Sequence, residues 1–521
     1  MKLFVQKHSE TIMGNLSGFD RLVFRGTLRS LAYPEGMRSY LSRSGILLKD
    51  FSGHVAETTA RVKKACTAVA EREGRPVIYL ESGRESKEEK AREILKRDKI
   101  QEGLVCVFST VELCRSYDIY RNRKMQKLEL VSRWRKCLHF YQYWVDSIFG
   151  FMNARLQTWF PFSIQICLNG REWLSRQMDR AGLLYVRRDN CFPRINDVKK
   201  AHALMDRQGK VNWVSQLDRI ARRLNPAHEK IFEERKLSYY WSAFQSEWAT
   251  DVMFRDKQSL DAIYPSLIHH GMTTFQSPDV FRFLGQKLPT TGAVHRRFAG
   301  EVGSDLKIRH EGVRVKHRIN RNSLKIYNKE GSLLRVETTI NDPCDFKVYR
   351  SKEGHDGRKR EWLPMRKGIA DLHRRTQVSQ AANSRYLDAL ALVDVPSPLK
   401  DLANPILHPT QWNGRRVRAI NPWFEEDARL LESVLRGEFT LSGFRNRDLR
   451  PLLFPSAPSK EEQRRQSARV SRKLRLLRAH HLIKKVPHSH RYQLTDTGRR
   501  ILPALMAARN ADASQLTQIA A

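Results

Sequence analysis

Apolar residues recur at two different spacings along the chain, and each spacing predicts one kind of secondary structure. Trp213, Leu217, Ile220 and Leu224 lie three and four residues apart, as on the buried face of an amphipathic helix. Between residues 313 and 341, apolar and polar side chains alternate instead, which is typical of strands with one buried face. Both patterns occur along the chain, so we expect a mixed α/β fold.

An α/β unit is predicted in the N-terminal part of the chain. Apolar runs at 76–80 and 103–108 have the length of buried strands. The charged stretch 86–96 between them has helical composition, as has 56–73 before them. The order strand, helix, strand favours two parallel strands joined by a crossover helix.

A central segment rich in aromatic residues predicts a ββα arrangement. Alternation over 151–168 predicts a hairpin, and an amphipathic helix is expected over 171–180. Aromatic residues interleaved with arginine, here Trp159 with Arg155, can stack on unpaired bases. Aromatic residues that cluster in strands also form hydrophobic cores, so both interpretations stay open.

A further helix is predicted where Trp241, Phe244 and Trp248 recur at helical spacing. Glu247 and Asp251 would lie on one face of this helix, because they are four residues apart. Two carboxylates so placed can bind a divalent cation, and they also occur on ordinary solvated surfaces.

The C-terminal part of the chain has the most specific order of elements. The predicted elements are helices at 425–436, 446–453 and 460–482, strands at 483–486 and 491–494, and a helix from Thr497. The third helix is strongly basic, and the two strands surround a polar tip. The order is therefore helix, helix, basic helix, two-stranded wing and helix.

This stretch resembles the DNA-binding domain of the MarR-like winged-helix regulators. The resemblance is carried by the passage KLRLLRAHHLIKKV and by the wing HRYQLTDTGRR. In that family the third helix enters the major groove and the wing tip touches the backbone or minor groove. The resemblance implies that nucleic acid lies near Arg469, Arg472, Lys473, Arg475, Arg478, Lys484, Lys485, His490 and Arg491. Winged helices also serve as protein-contact modules, and a basic helix face can simply be solvated.

A second basic region lies in the strands predicted between residues 303 and 349. A sheet face so rich in cations is expected to bind phosphate, and the candidates are Arg314, Lys316, Arg318, Lys325 and Arg335. The run SLKIYNKEGSLLRVETTIN resembles the strand pair of some phage and plasmid replication initiators. The chain does not have the metal-binding histidine pair of those nickases, so the resemblance assigns no role to a tyrosine.

Changes in composition predict five segments and a multidomain mixed α/β protein with a C-terminal winged helix. They are an N-terminal α/β domain at 1–130, an aromatic-rich ββα and helical domain at 131–300, a basic β-rich module with a trailing helix at 301–395, a proline-rich linker at 396–420 and the winged-helix domain at 421–521.

The charge of the chain indicates its partner. Its 94 Lys and Arg exceed 56 Asp and Glu and give a formal charge of +38, which attracts polyanions. Nucleic acid, either DNA or RNA, is therefore the expected partner. No apolar run approaches the ~20 residues of a spanning helix, and the N-terminus does not have the apolar core of a signal peptide, so we expect a cytoplasmic protein without a membrane partner. The seven cysteines form no CxxC pair, which predicts reduced thiols and no zinc site.

Five carboxylates are candidates for metal-dependent catalysis: Asp20, Asp146, Glu247, Asp251 and Glu337. Phosphodiester cleavage or strand transfer needs two or three carboxylates around Mg²⁺, and the sequence alone does not show which of them meet. Asp20, at the edge of a predicted strand, also suits a turn cap or a surface ion pair. Glu337 is centred in an apolar strand, where a buried carboxylate needs an arginine or a metal.

Three functions are compatible with these patterns. The first is a nucleic-acid-binding protein of a mobile or replicative element, with or without a Mg²⁺-dependent nuclease or strand-transfer activity. The second is a non-enzymatic winged-helix transcriptional regulator, which predicts a dimer on a palindromic site. The third is an RNA-binding structural protein of a ribonucleoprotein.

Overall fold

The computed structural model describes residues 1–81, 85–233, 235–286, 300–309, 312–352, 360–392, 399–487 and 489–512. The helices are α1 Lys2–Lys7, α2 Pro34–Arg43, α3 Phe51–Arg72, α4 Lys87–Arg97, α5 Gly170–Arg180, α6 Val198–Asp206, α7 Trp213–Leu224, α8 His228–Ile231, α9 Lys257–Asp261, α10 Tyr264–Thr273, α11 Ser277–Phe283, α12 Leu372–Leu390, α13 Leu399–Leu407, α14 Glu425–Leu435, α15 Gly437–Ser442, α16 Asn446–Leu453, α17 Lys460–Ala479 and α18 Asp496–Asn510.

The strands are β1 Ile12–Thr27, β2 Val77–Tyr79, β3 Gly103–Asn122, β4 Lys127–Asp146, β5 Gly150–Gln157, β6 Ile164–Asn169, β7 Tyr185–Arg188, β8 Cys191–Ile195, β9 Tyr240–Phe254, β10 Val302–Arg309, β11 Gly312–Ile319, β12 Asn322–Lys329, β13 Leu333–Ile340, β14 Lys347–Ser351, β15 Arg360–Pro364, β16 Thr410–Trp412, β17 Arg415–Val417, β18 Phe444–Arg445, β19 Ile483–Lys485 and β20 Arg491–Leu494. Within the described ranges, no helix is both long and apolar enough to cross a membrane.

The fold is mixed α/β and is built on one large mixed sheet. Its hydrogen-bonded order is β10-β11-β12-β13-β9-β1-β6-β5-β4-β3-β2. The chain divides into two compact units. The first comprises Met1–Gly14, Val252–Thr338 and Val378–Ala521, and the second comprises Asn15–Asp251 and Thr339–Gln377. Strands β1, β9 and β13 each contribute residues to both.

The N-terminal α/β prediction is confirmed in the second unit. β2 and β3 are parallel, with Val77 opposite Val107, and α4 is the crossover between them. Residues 104–108 of β3 are all buried, which fits their continuously apolar run, whereas β2 is the edge strand and exposes Val77 and Tyr79. Ile94 of α4 packs with Val105 and Phe108 in one buried cluster.

The predicted ββα arrangement is also confirmed. β5 and β6 are antiparallel, with Asn153 opposite Cys167, and α5 follows directly. Most of the aromatic residues around this hairpin form the core: Trp144, Phe149 and Phe160 are all buried. Base stacking on these three rings is therefore ruled out in this fold, because their faces are covered by other side chains.

The helix predicted around residues 240–251 is wrong, because this stretch is strand β9. Trp241 and Ala243 are buried while Tyr240 and Phe244 are exposed, so burial here alternates with a period of two. The aromatic and β-branched residues of the segment favour strands, and pairing in the large sheet uses that preference. The helical spacing of Trp241, Phe244 and Trp248 is therefore incidental, because the stretch pairs as a strand.

In the first unit, the three predicted basic strands are confirmed as β11, β12 and β13. β11 and β12 are antiparallel, with Lys316 opposite Lys325 and Arg314 opposite Tyr327. Residues that pair directly point to the same face, so these cations share one face of the sheet. The opposite face carries apolar residues such as Val315, which is fully buried.

The C-terminal elements occur at the predicted places. α14, α16, α17 and α18 surround a cluster that includes Leu431, Leu449, Leu474 and Leu502, and β18, β20 and β19 form a three-stranded sheet. The segment interpreted as a linker contains α13, β16 and β17, and its residue Ile406 is buried in the same cluster.

A buried histidine connects three elements of the first unit. Nδ1 of His317 lies 2.7 Å from Oγ of Ser304, and Nε2 lies 3.0 Å from the hydroxyl of Tyr386. Burial lowers the pKa of His317 from 6.5 to about 4. The folded protein therefore holds this imidazole neutral, whereas the unfolded chain takes up a proton below about pH 6.5.

We expect acid to weaken the fold through His317. Its folded pKa is depressed, so its stabilising contribution is present above pH 6.5 and is lost as the pH falls towards 4. Urea unfolding should show a free energy of unfolding lower by about 2 kcal/mol at pH 5 than at pH 7 from this residue alone. His317→Gln should reduce that difference, and replacement of the exposed His269 is the control. An equal pH dependence in the His317 variant and the wild type would contradict the assignment.

Candidate functional site

Three of the five predicted carboxylates meet. Asp20 in β1, Glu247 in β9 and Glu337 in β13 each offer an oxygen, and these atoms all lie within 4.8 Å of one another. Asp20 and Glu337 are buried, and Glu247 is half-buried. Asp20 lies in the middle of a sixteen-residue strand, so its predicted place at a strand edge was wrong.

Such a carboxylate group is unstable without positive charge. Two unit charges at this separation repel by about 3 kcal/mol per pair at an effective dielectric constant of ~20. Nζ of Lys325 lies 2.7 Å from Oε1 of Glu337, and the hydroxyl of Tyr327 donates to Oε2 at 3.0 Å. Among the described residues, Oε1 nevertheless accepts no hydrogen bond of good geometry, although it is fully buried. Oε1 is therefore paired with the charge of Lys325 and keeps lone-pair capacity for a metal ion.

Arg171 compensates the carboxylates of the second unit. Its side chain is fully buried, with Nη2 3.1 Å from Oδ2 of Asp251 and Nε 3.9 Å from Oδ1 of Asp20. The amide of Asn190 donates to both oxygens of Asp20, at 3.0 and 3.1 Å. Asp251 is outside the group of three carboxylates. It shares a strand face with Glu247, because residues four apart lie on the same side of a strand as well as of a helix.

Sequence reasoning missed Arg171, although a signal was present. An arginine in the first turn of a helix opposes the positive end of the helix dipole, which costs about 0.3–1 kcal/mol. Such a position suggests a strong anionic partner. Asn169 caps this helix, because its side chain accepts the N–H groups of Arg171 and Glu172. The start of α5, and with it the guanidinium, is held in place by that cap.

The fifth candidate, Asp146, has a structural role. Its carboxylate accepts the N–H groups of Ile148 and Phe149 and pairs with Arg219 and Arg223 at 3.2 and 3.1 Å. Burial raises its pKa, but the N–H groups and the two guanidinium groups outweigh burial and hold the pKa below its ordinary value. Asp146 thus joins the β4–β5 turn to α7 and is not part of the group that meets.

The predicted phosphate contacts of the sheet differ in accessibility. Arg318 is exposed and pairs with Glu301, and Arg314 and Lys316 are half-buried. Burial lowers the pKa of Lys316, and repulsion from Arg314 adds to this effect, although Asp305 opposes it. Arg335 is fully buried and cannot contact solvent-borne phosphate.

The other predicted contacts of the second unit are engaged within the protein. A guanidinium nitrogen of Arg155 lies 3.2 Å from Glu112 and 3.0 Å from Nε2 of His139. Trp159 is half-buried, with the guanidinium of Arg135 5.1 Å above its ring. Arg155 is thus paired within the protein, and the ring of Trp159 is only partly accessible.

In the C-terminal elements, most predicted contacts are accessible. The exposed residues are Arg469, Arg472, Arg475, Lys484, Lys485 and His490, and the half-buried ones are Arg478 and Arg491. Lys473 differs, because it is buried and its Nζ lies 2.7 Å from Oε1 of Glu426. It belongs to the interior of this region.

No family model matches the chain, and no curated protein or solved structure shows significant similarity to it. The assignment of a function therefore depends on the geometry of the site itself.

We expect Gly170→Ala to disrupt the arrangement around Arg171. A Cβ at Gly170 would lie 1.9 Å from the carbonyl oxygen of Phe19 in β1, so the start of α5 must move. Overpacking against backbone should lower the free energy of unfolding by about 3 kcal/mol. Gly53→Ala is the matched control, since nothing lies within 4 Å of its added Cβ in α3. Thermal unfolding checks both variants, and similar melting temperatures would show that the close approach is not a constraint.

Proposed function

We propose that the protein binds nucleic acid and cleaves or transfers phosphodiester bonds with a divalent cation held by Asp20, Glu247 and Glu337. The observation that carries the proposal is the convergence of these three carboxylates within 4.8 Å. Hard cations such as Mg²⁺ and Mn²⁺ prefer carboxylate oxygens. A cation in such a place polarises the phosphate and activates a nucleophilic oxygen.

Residues near Glu337 support a phosphate substrate. Lys325 contacts Glu337 and lies opposite Lys316 in the register of β11 and β12. Arg318 and Arg314 continue the same face along β11, since they alternate with buried residues. This row of cations ends at a carboxylate ligand, so it can hold a phosphate backbone and direct it to the cation. Lys325 would also offset negative charge that develops on the reacting phosphate.

The test begins with the cation itself. Wild-type protein titrated with Mn²⁺ should remove the signal of free Mn²⁺ in electron paramagnetic resonance, while Glu247→Gln and Glu337→Gln should bind at least about tenfold more weakly. Glu57→Gln, which changes an exposed carboxylate of α3, is the matched control. With Mg²⁺ and labelled DNA or RNA, the wild type should cut and both site variants should not.

Two outcomes would refute this function. The first is a wild-type protein that binds no Mn²⁺ at millimolar concentration. The second is equal Mn²⁺ binding by the wild type and the two site variants, which would show that Lys325 and Arg171 suffice to neutralise the carboxylates.

We further propose that the C-terminal elements form a winged helix that directs the protein to DNA, as in a protein of a mobile or replicative element. The order of elements supports this, since α17 is followed by the antiparallel pair β19 and β20 and by α18. Arg469, Arg472 and Arg475 are exposed on α17. Basic residues on such a helix neutralise phosphates, and their contacts make binding sensitive to salt.

Arg469→Ala with Arg472→Ala should weaken DNA binding at every sequence and reduce the salt dependence. The slope of log K against log salt should become less negative by about two, near one for each lost phosphate contact. Arg429→Ala, an exposed arginine on α14, is the matched control and should leave the slope unchanged. Fluorescence anisotropy of a labelled duplex at several salt concentrations measures this slope. A double variant with the wild-type slope would remove α17 from the interface.

A further inference from the structure

Strands β3 and β4 form a ribbon that extends past its neighbouring strands. The two strands pair from Gly103 opposite Val145 to Asn122 opposite Lys127. β2 pairs with β3 only as far as Ser109, and β5 pairs with β4 only from His139 onwards. In the described chain, the part beyond these positions is therefore a two-stranded ribbon without a further strand beside it.

One face of this ribbon exposes large apolar side chains. Trp134, Leu113 and Val111 have 64%, 62% and 46% of their surface exposed. Arg115 lies directly opposite Trp134, and Leu113 lies opposite Lys136, so all five residues point to the same side. We call Val111, Leu113, Arg115, Trp134 and Lys136 the ribbon face.

The cations of the ribbon face form no ion pair with the residues that the structure describes. On the opposite side of the ribbon, Arg135 pairs with Asp118 at 2.8 Å. By contrast, no carboxylate in the described part of the chain lies within 4.0 Å of Arg115 or Lys136, although both are exposed. The guanidinium carbon of Arg115 lies 5.4 Å from the centre of the Trp134 ring, which leaves its hydrogen-bond donors for a ligand.

We propose that the ribbon face binds an unpaired strand of nucleic acid, with a base stacked on Trp134 and phosphates on Arg115 and Lys136. The proposal rests on the proposed function, for which it defines the substrate as single-stranded. Three features favour this occupant. An exposed tryptophan on a rigid strand offers a flat surface for stacking, two cations flank it, and the chain carries a charge of +38.

A duplex fits the ribbon face less well than an unpaired strand does. Bases inside a duplex are stacked on each other and present only their edges, so they have no free face for Trp134. Unpaired bases of DNA and RNA alike expose their rings and can stack on an aromatic side chain. The ribbon face is therefore distinct from α17, which we assign to duplex DNA.

Anisotropy of a fluorescein-labelled single-stranded oligonucleotide of mixed sequence, as DNA and as RNA, tests the assignment. Trp134→Ala should weaken binding by about 5- to 100-fold, the range that loss of one stacked base gives. Trp134→Phe should restore most of the affinity, since an aromatic ring is retained. Trp362→Ala is the matched control, because Trp362 is an exposed strand tryptophan with 59% of its surface exposed. Circular dichroism confirms that the variants are folded.

The salt dependence tests the cations separately. Arg115→Ala with Lys136→Ala should make the slope less negative by about 1.4, near 0.7 for each phosphate contact of a single strand. Unchanged affinity of Trp134→Ala would overturn the proposal, as would equal losses in the Trp134 and Trp362 variants. A duplex that binds the ribbon face as tightly as the single strand does would also overturn it. The same holds if Trp134→Ala abolishes binding of a protein partner and leaves binding of the single strand unchanged.

The failures of the two proposals are distinguishable. Glu247→Gln should lose Mn²⁺ and keep the wild-type affinity for the single strand, and Trp134→Ala should do the reverse. Binding of a single strand that needs Trp134 in a protein without affinity for Mn²⁺ would refute the cation function and leave the ribbon face in place. Bound Mn²⁺ together with single-strand affinity that is indifferent to Trp134 would refute only the ribbon face.

Discussion

The pairing of buried Arg171 with Asp20 and Asp251 is the constraint on which the packing of α5 in the second unit depends. A guanidinium that is withdrawn from water costs several kcal/mol unless carboxylates surround it, and the same holds for the two carboxylates. Each charge therefore requires the others, and loss of one partner leaves the rest buried and unpaired. Because Arg171 starts a helix and Asp20 and Asp251 belong to strands, this one contact sets how α5 lies against the sheet.

The elements of the fold were largely predictable from periodicity. Alternation predicted strands between residues 313 and 341, and β13 occurs there at Leu333–Ile340, because an apolar run of that length bounded by turn residues has few alternatives. β9 was not predictable in the same way. Its tryptophans are spaced as on a helix, and the stretch forms a strand because it pairs with other strands of the sheet. The sequence pattern therefore predicted an element correctly where its apolar residues fit either the helical or the strand period alone. It failed where the apolar residues fit both periods.

The site was predictable as a set of residue types but not as an arrangement. Asp20 was a candidate at the edge of a predicted strand, Glu247 through its spacing from Asp251, and Glu337 as a carboxylate centred in an apolar strand, and Asp146 belonged to the same set. What separates them is tertiary: Asp146 lies at the β4–β5 turn with two arginines and two N–H groups, whereas the other three bring their oxygens within 4.8 Å of one another. The five residues of the ribbon face, three apolar and two basic, were missed because exposure, and not composition, distinguishes them from the buried residues nearby.

The strands that carry the three carboxylates are far apart in the chain, at residues 20, 247 and 337. No fragment that ends before Glu337 contains all three, so the group cannot assemble until 337 of the 521 residues have been joined. Synthesis of most of the protein must precede any chemistry at this place. A shorter nascent chain holds at most two of the three carboxylates, so the arrangement of all three belongs to the later stages of synthesis.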